Sequence, residues 1–144
     1  MRLIIAGSRS YDPLRLQGLI TQLAGRAVDL AGLGPVSVVL SGCATGADKA
    51  GEIWGSAQSG VTVCYYPANW RELSKAAGPI RNAYMASQAD ALVLIWTGDP
   101  ETSPGSANML DCARKAGLAI VTATQGDVPG TFALAQIPPV EVAA

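Results

Sequence analysis

The chain has 144 residues, 49% of them hydrophobic and 15% charged, with 16 glycines and 9 prolines; that length supports one core and that composition a globular domain rather than a disordered tail or coiled coil. Lys plus Arg number 10 against 11 Asp plus Glu, a net charge of −1, so there is no electrostatic footprint for duplex nucleic acid, and nucleic acid is not an expected partner. The absence of histidine excludes Ser-His-Asp and Cys-His triads, His-ligated zinc and a histidine general base. The 3 cysteines, Cys43, Cys64 and Cys112, are odd in number and lack metal-ligand spacing, which fits reduced thiols in a cytosolic protein, with Cys64 and Cys112 as core residues. The apolar runs are too short to span a bilayer, and the opening run breaks at Gly7, too early for a signal peptide. The expected setting is soluble, cytoplasmic and away from membranes.

The first apolar run, residues 3–6, predicts a strand. Asp12-Pro13 fits an N-cap and first-turn proline opening a helix over 13–30, in which Leu16, Leu19, Ile20 and Leu23 keep three- and four-residue spacing. A second strand at 36–40 and helix at 47–58 follow, then a third strand at 61–66 and a helix at 80–89 with Pro79 at its first position. A fourth strand at 92–96 leads to a helix at 107–116, closed by Gly117 after Lys115, and a fifth strand at 118–122. Strands apolar on both faces and joined by helical crossovers imply a mainly parallel sheet of five strands or slightly more, covered on each side. The expected fold is α/β, a single Rossmann-like three-layer α/β/α sandwich over residues 1–124. Residues 125–144, with Gly126, Pro129, Gly130, Pro138 and Pro139 and no sustained period, read as an extended or partly ordered C-terminal arm.

In such sheets ligands sit beyond the carboxyl ends of the strands, where strand order reverses. After the first strand comes Gly7-Ser8-Arg9-Ser10, either a phosphate contact through Arg9 or a turn with a solvated arginine. After the second comes Ser41-Gly42-Cys43-Ala44-Thr45-Gly46-Ala47-Asp48, whose N–H groups and helix dipole make an anion site. Asp48 can cap that helix or complement its dipole beside a ligand. The loop is neither a Walker A sequence nor a Gly-x-Gly-x-x-Gly fingerprint.

The third constellation is Trp70, Lys75, Ala76-Ala77-Gly78-Pro79-Ile80-Arg81-Asn82 and Met85. Arg81 and Asn82, read in a first helical turn, set a cation against the macrodipole, which points to an anionic partner; two solvated cations are the plain alternative. The fourth is Thr97-Gly98-Asp99, then Ser103-Pro104-Gly105-Ser106-Ala107-Asn108-Met109, a further phosphate or ribose site at a helix start. Trp70 ranks first as a contact for a base, ahead of Tyr65, Tyr66 and Trp96. No metal site or resident cofactor is implied.

Taken together, Gly7-Ser8-Arg9, Ser41-Gly42 through Gly46-Ala47-Asp48, Lys75 through Asn82 with Met85, Ala89-Asp90-Ala91, and Gly105-Ser106 with Met109 resemble the YspA-related branch of the SLOG superfamily, over residues 1–123. The resemblance implies a Rossmann-like fold that handles nucleotides. The superfamily includes the DNA-processing protein DprA, the lonely-guy (LOG) phosphoribohydrolases, and sensor domains in bacterial and phage conflict systems that bind NAD-derived nucleotides. By position Arg81 is similar to the LOG arginine and Gly105-Ser106 to its Gly-Thr pair, but Met109 stands where LOG enzymes carry the catalytic glutamate, and a thioether cannot do that carboxylate's work. The branch usually has Gly where Cys43 stands and Arg where Thr45 stands; Cys43 reads as a reactive thiol at a helix N-terminus or a small buried filler.

The expected function is therefore binding of a nucleotide or nucleotide-derived small molecule, of the ADP-ribose or NAD-derived kind, as a sensor or sequestering protein. Its ligand-binding residues would be Gly7, Ser8, Arg9, Ser41, Gly42, Cys43, Gly46, Asp48, Trp70, Lys75, Arg81, Asn82, Gly105 and Ser106. The alternative is a LOG-like phosphoribohydrolase or N-glycosidase with Asp48 and Arg81 as its catalytic residues, Asp90 being placed instead at a strand entry. Homo-oligomers are common for such folds, and exchange of the arm after Gln125 is one way to build them.

Overall fold

The computed structural model describes residues 1–11, 17–32, 34–128 and 130–138. The first apolar run forms β1 (Arg2–Gly7), in which side chains alternate between two cores: Leu3 and Ile5 face one side of the sheet, Ile4 and Ala6 the other. On the first side lie α1 (Gln17–Ala31), through Ile20, Leu23, Ala24 and Ala27, and α2 (Ala47–Ser56), through Ala47 and Ala50. On the second lie α4 (Ala77–Ser87) with Met85 and Ala86, and α5 (Pro104–Lys115) with Met109 and Ala113. Between these layers run β2 (Val38–Ser41), β3 (Thr62–Tyr65), β4 (Ala91–Trp96), β5 (Ala119–Gln125) and β6 (Phe132–Ile137), in the order β3-β2-β1-β4-β5-β6. This is the Rossmann-like three-layer sandwich.

Central β4 is buried at every position because helices cover both its faces. Leu92, Leu94 and Ile95 are 1% exposed or less, and each contributes roughly 1.5–3 kcal/mol by burial. Pairing is parallel throughout β3-β2-β1-β4-β5, with Ile4 opposite Leu40 on one side and Leu92 on the other. Gly117 has φ 76 just past α5, the left-handed residue that ends a helix.

Several expectations are corrected. Residues 132–137 do not form an extended arm: β6 pairs antiparallel with β5 over six positions, from Gln125 opposite Phe132 to Ile120 opposite Ile137, while residues 139–144 lie outside the described residues. Phe132 and Leu134 pack on the α1 side, so alternation of apolar side chains overrides the turn-forming residues around it. Strand β3 is not apolar on both faces; it is the sheet edge, with Thr62 and Tyr65 exposed and Cys64 only half-buried, as is Cys112. Helix α4 begins at Ala77, so Pro79 is its third residue, and a short helix, α3 (Trp70–Leu73), with a 3₁₀ turn (Ser74–Ala76) precedes it. Asp12-Pro13 lies outside the described residues. No helix among the described residues is long and apolar enough to cross a membrane.

Candidate functional site

Strand β1 lies between β2 and β4, and the helices after β1 and β2 cover one face while those after β3 and β4 cover the other. Loops therefore diverge at the carboxyl ends of β1 and β4. A cavity of about 850 Å³ opens there, within the range of small-molecule sites. It is lined by Gly7, Ser8, Arg9, Gly42, Asp48, Trp70, Lys75, Arg81, Asn82, Gly105 and Ser106, with Met85 and Met109 as apolar parts of its wall.

Ser41, Cys43 and Gly46 do not line it. The buried Ser41 hydroxyl donates to Glu52 Oε2 at 2.7 Å and accepts the Cys43 N–H at 3.1 Å, holding the loop from behind. Glu52 is in turn paired with Lys49 at 3.0 Å. At Gly46 a Cβ would lie 2.3 Å from the Ser8 carbonyl oxygen, so glycine permits the close approach of the two loops. The Ala47 N–H fastens them by donating to that same oxygen. Cys43 is exposed rather than a buried filler, and its φ of 67 is in the left-handed region that favours glycine.

Asp48 and Arg81 meet over Gly42, where a Cβ would stand 2.8 Å from both Arg81 Nη1 and Asp48 Oδ2. Asp48 Oδ2 accepts the Ala44 N–H at 3.2 Å. Burial pushes its carboxyl up to about 6, against the opposing pull of the Ala44 N–H, the Arg81 charge and the Gly7 N–H. Burial likewise lowers the Arg81 pKa, and Asp48 opposes that shift. Because α4 starts at Ala77, Arg81 lies beyond the first turn, and its conflict with the macrodipole does not arise. Its Nη1 instead donates to the carbonyls of Gly42 and Tyr66, and its Nε to Asn82 Oδ1 at 2.9 Å.

Asn82, buried, carries the chain of bonds to α5: its Nδ2 donates to Asn108 Oδ1 at 2.9 Å and to the Gly105 carbonyl at 3.4 Å. At the start of α5, Ser103 occupies the N-cap position yet makes no capping bond. Its Oγ lies 2.7 Å from Ser8 Oγ and 3.2 Å from Thr97 Oγ1. Pro104 has no N–H, so the orphan donors of this terminus are those of Gly105 and Ser106, both on the cavity wall. Ser106 is 7% exposed as a residue, and its hydroxyl, which keeps access to the cavity, has no hydrogen-bond partner among the described residues.

Trp70 stands at the cavity, 49% exposed, with the Arg9 guanidinium 5.9 Å from its ring centroid. The other aromatic candidates do not line the cavity: Tyr65 is exposed on the edge strand, Tyr66 packs on Tyr84, and Trp96 is in the core. Asp90 Oδ2 accepts the Arg2 N–H at 2.8 Å, at the opposite end of the sheet. Thr102, Ser103 and Asn108, absent from the expected ligand set, also line the cavity; the signal for Asn108 was its place three residues after Gly105, on the same helix face. No family model, curated protein or solved structure matches the chain.

Proposed function

We propose that the cavity binds a phosphorylated, nucleotide-type small molecule of the ADP-ribose or NAD-derived kind and releases it unchanged, so that the protein senses or sequesters its ligand. One observation carries this reading: the uncapped N-terminus of α5 opens on the cavity, with the unpaired Ser106 hydroxyl open to that cavity beside it. Helix N-termini of this kind attract phosphate through free N–H groups and the macrodipole. Arg9, Lys75 and Arg81 line the same cavity against a single carboxylate, Asp48, which gives a phosphate a net attractive charge. Trp70 offers the face for a base, and the resemblance to the SLOG superfamily supports the same ligand class.

A second reading, hydrolysis of an N-glycosidic bond, draws on Asp48, whose raised pKa suits an acid or base near neutrality. Its carboxylate is held by Ala44 and faces Arg81, and Met109 occupies the wall where a second carboxylate would be needed, so binding is the better account.

The test is incubation with ADP-ribose, NAD, AMP, cyclic ADP-ribose and cytokinin nucleotides, reading thermal stability and separating the products by chromatography. Ligand at 100 times its dissociation constant adds about 2.7 kcal/mol, several degrees for a domain of this size. The expected result is stabilisation with intact ligand recovered. Released base or ribose phosphate, lost in Asp48→Asn, establishes the second reading instead.

A further inference from the structure

We infer that Asn108 reads the ligand with an amide locked as a hydrogen-bond donor, so that the α5 end of the cavity selects an oxyanion whose oxygens only accept, as those of a phosphate dianion do. The inference rests on the reading of the cavity as a phosphate site and adds a residue and a selection rule to it. Its basis is the polarity of one chain of hydrogen bonds. Arg81 Nε can only donate, so the Asn82 side chain must turn its oxygen toward it, as the 2.9 Å contact requires. The Asn82 nitrogen is thereby directed to the other side, where the Gly105 carbonyl, which can only accept, takes it as well.

Asn108 must then offer Oδ1 to Asn82 at 2.9 Å, and the Cys112 thiol contacts the same oxygen at 3.8 Å. Its Nδ2 is left without a protein partner among the described residues, on a residue that lines the cavity. The acceptors at this end, Gly105 O and Asn108 Oδ1, are both consumed by Asn82. What remains toward the cavity is three groups that only donate, the Gly105 and Ser106 N–H groups and Asn108 Nδ2, beside the Ser106 hydroxyl, which rotates to donate or accept. A ligand group presenting only N–H there would leave the three N–H donors unpaired, and a protonated oxygen accepts more weakly than a charged one, which is the basis for discrimination. Asn82 is the positioning residue of this arrangement, fixed by Arg81.

The experiment titrates inorganic phosphate at constant ionic strength and pH 7.5 into the ¹⁵N-labelled full chain, following the amides of Gly105 and Ser106. Wild type, Asn108→Ala and Asn108→Asp are compared; neither substitution removes a core side chain, and the spectra themselves report folding. Saturable shifts are expected in wild type, with affinity lowered about 10-fold in Asn108→Ala and at least about 100-fold in Asn108→Asp, where an acceptor and a negative charge replace the donor. Unchanged affinity in both variants overturns the role of Asn108 and leaves the phosphate site standing. Failure of the wild-type Gly105 and Ser106 amides to shift overturns the site and the inference together.

Discussion

The Oγ atoms of Ser8 and Ser103, at opposite sides of the strand crossover and 95 residues apart in sequence, lie 2.7 Å from each other. This bond draws the N-cap hydroxyl of α5 away from its own helix, leaving the Gly105 and Ser106 amides to the cavity. The same Ser8 oxygen accepts the Thr97 N–H at 3.2 Å, so the loops after β1 and β4 are joined at one point. A double-mutant cycle of Ser8→Ala and Ser103→Ala checks it by urea denaturation. Each single change is expected to cost about 1–2 kcal/mol, with a coupling of about 0.5–1.5 kcal/mol between them. Additive losses would mean that Ser103 acts within its own helix.

The burial of Asp48 makes the fold pH-dependent. Its folded pKa of about 6 lies above the ordinary carboxylate value of 3.8; the native state therefore holds the proton more tightly, and stability falls as pH rises from about 4 through 6. The loss attributable to Asp48 is on the order of 2–3 kcal/mol. Comparing wild type with Asp48→Asn in denaturant at pH 4.5 and 7.5 should show that the wild type loses about 2 kcal/mol relative to the variant on going to the higher pH, part of the loss having already occurred by pH 4.5. A difference that does not change with pH would place the Asp48 carboxyl outside a buried setting.

Cys43 holds a left-handed conformation with its side chain exposed. Replacing it by glycine removes about 1–2 kcal/mol of backbone strain and adds unfolded-state entropy worth about 0.4–1 kcal/mol. Cys43→Gly is thus expected to stabilise the protein by roughly 0.5–1 kcal/mol, and Cys43→Ala, which keeps the strain, to give no such gain. Thermal denaturation of both variants measures the difference.

Arg81→Lys keeps a positive charge but not the fork that reaches Asn82, Gly42 and Tyr66 together. The variant should lose about 1–3 kcal/mol of stability by leaving acceptors unpaired, and its phosphate affinity should fall because Asn82 no longer has a fixed orientation. A lysine variant with wild-type midpoint in urea and wild-type phosphate affinity would reduce Arg81 to a simple surface charge.

The five strands of the parallel core and their alternation with helices were legible because the strands are short apolar runs separated by helical lengths, and Gly117 marked a helix end for a local reason that tertiary contacts do not alter. β6 was not legible: Phe132 and Leu134 are partly buried only because β5 and α1 lie beside them, information that no local window contains. Most of the expected ligand residues line the cavity because strand ends and helix starts carry them there. Ser41 and Gly46 share those signals but turn to Glu52 and Ser8, partners that only the folded loops supply. The starting point of α4 was hidden by Pro79, which fits the third helical position as well as the first, since none of the first-turn N–H groups has an intrahelical partner.

The central claim is that α5 and its neighbours hold the phosphate of a nucleotide-type ligand that leaves unchanged. The most direct measurement is calorimetric titration of the wild-type chain with ADP-ribose, AMP and adenosine, followed by chromatographic recovery of each compound. The account predicts that a phosphorylated member binds at least about 100-fold more tightly than adenosine and is recovered whole. Equal binding of adenosine, or no binding of either phosphorylated compound, would contradict it.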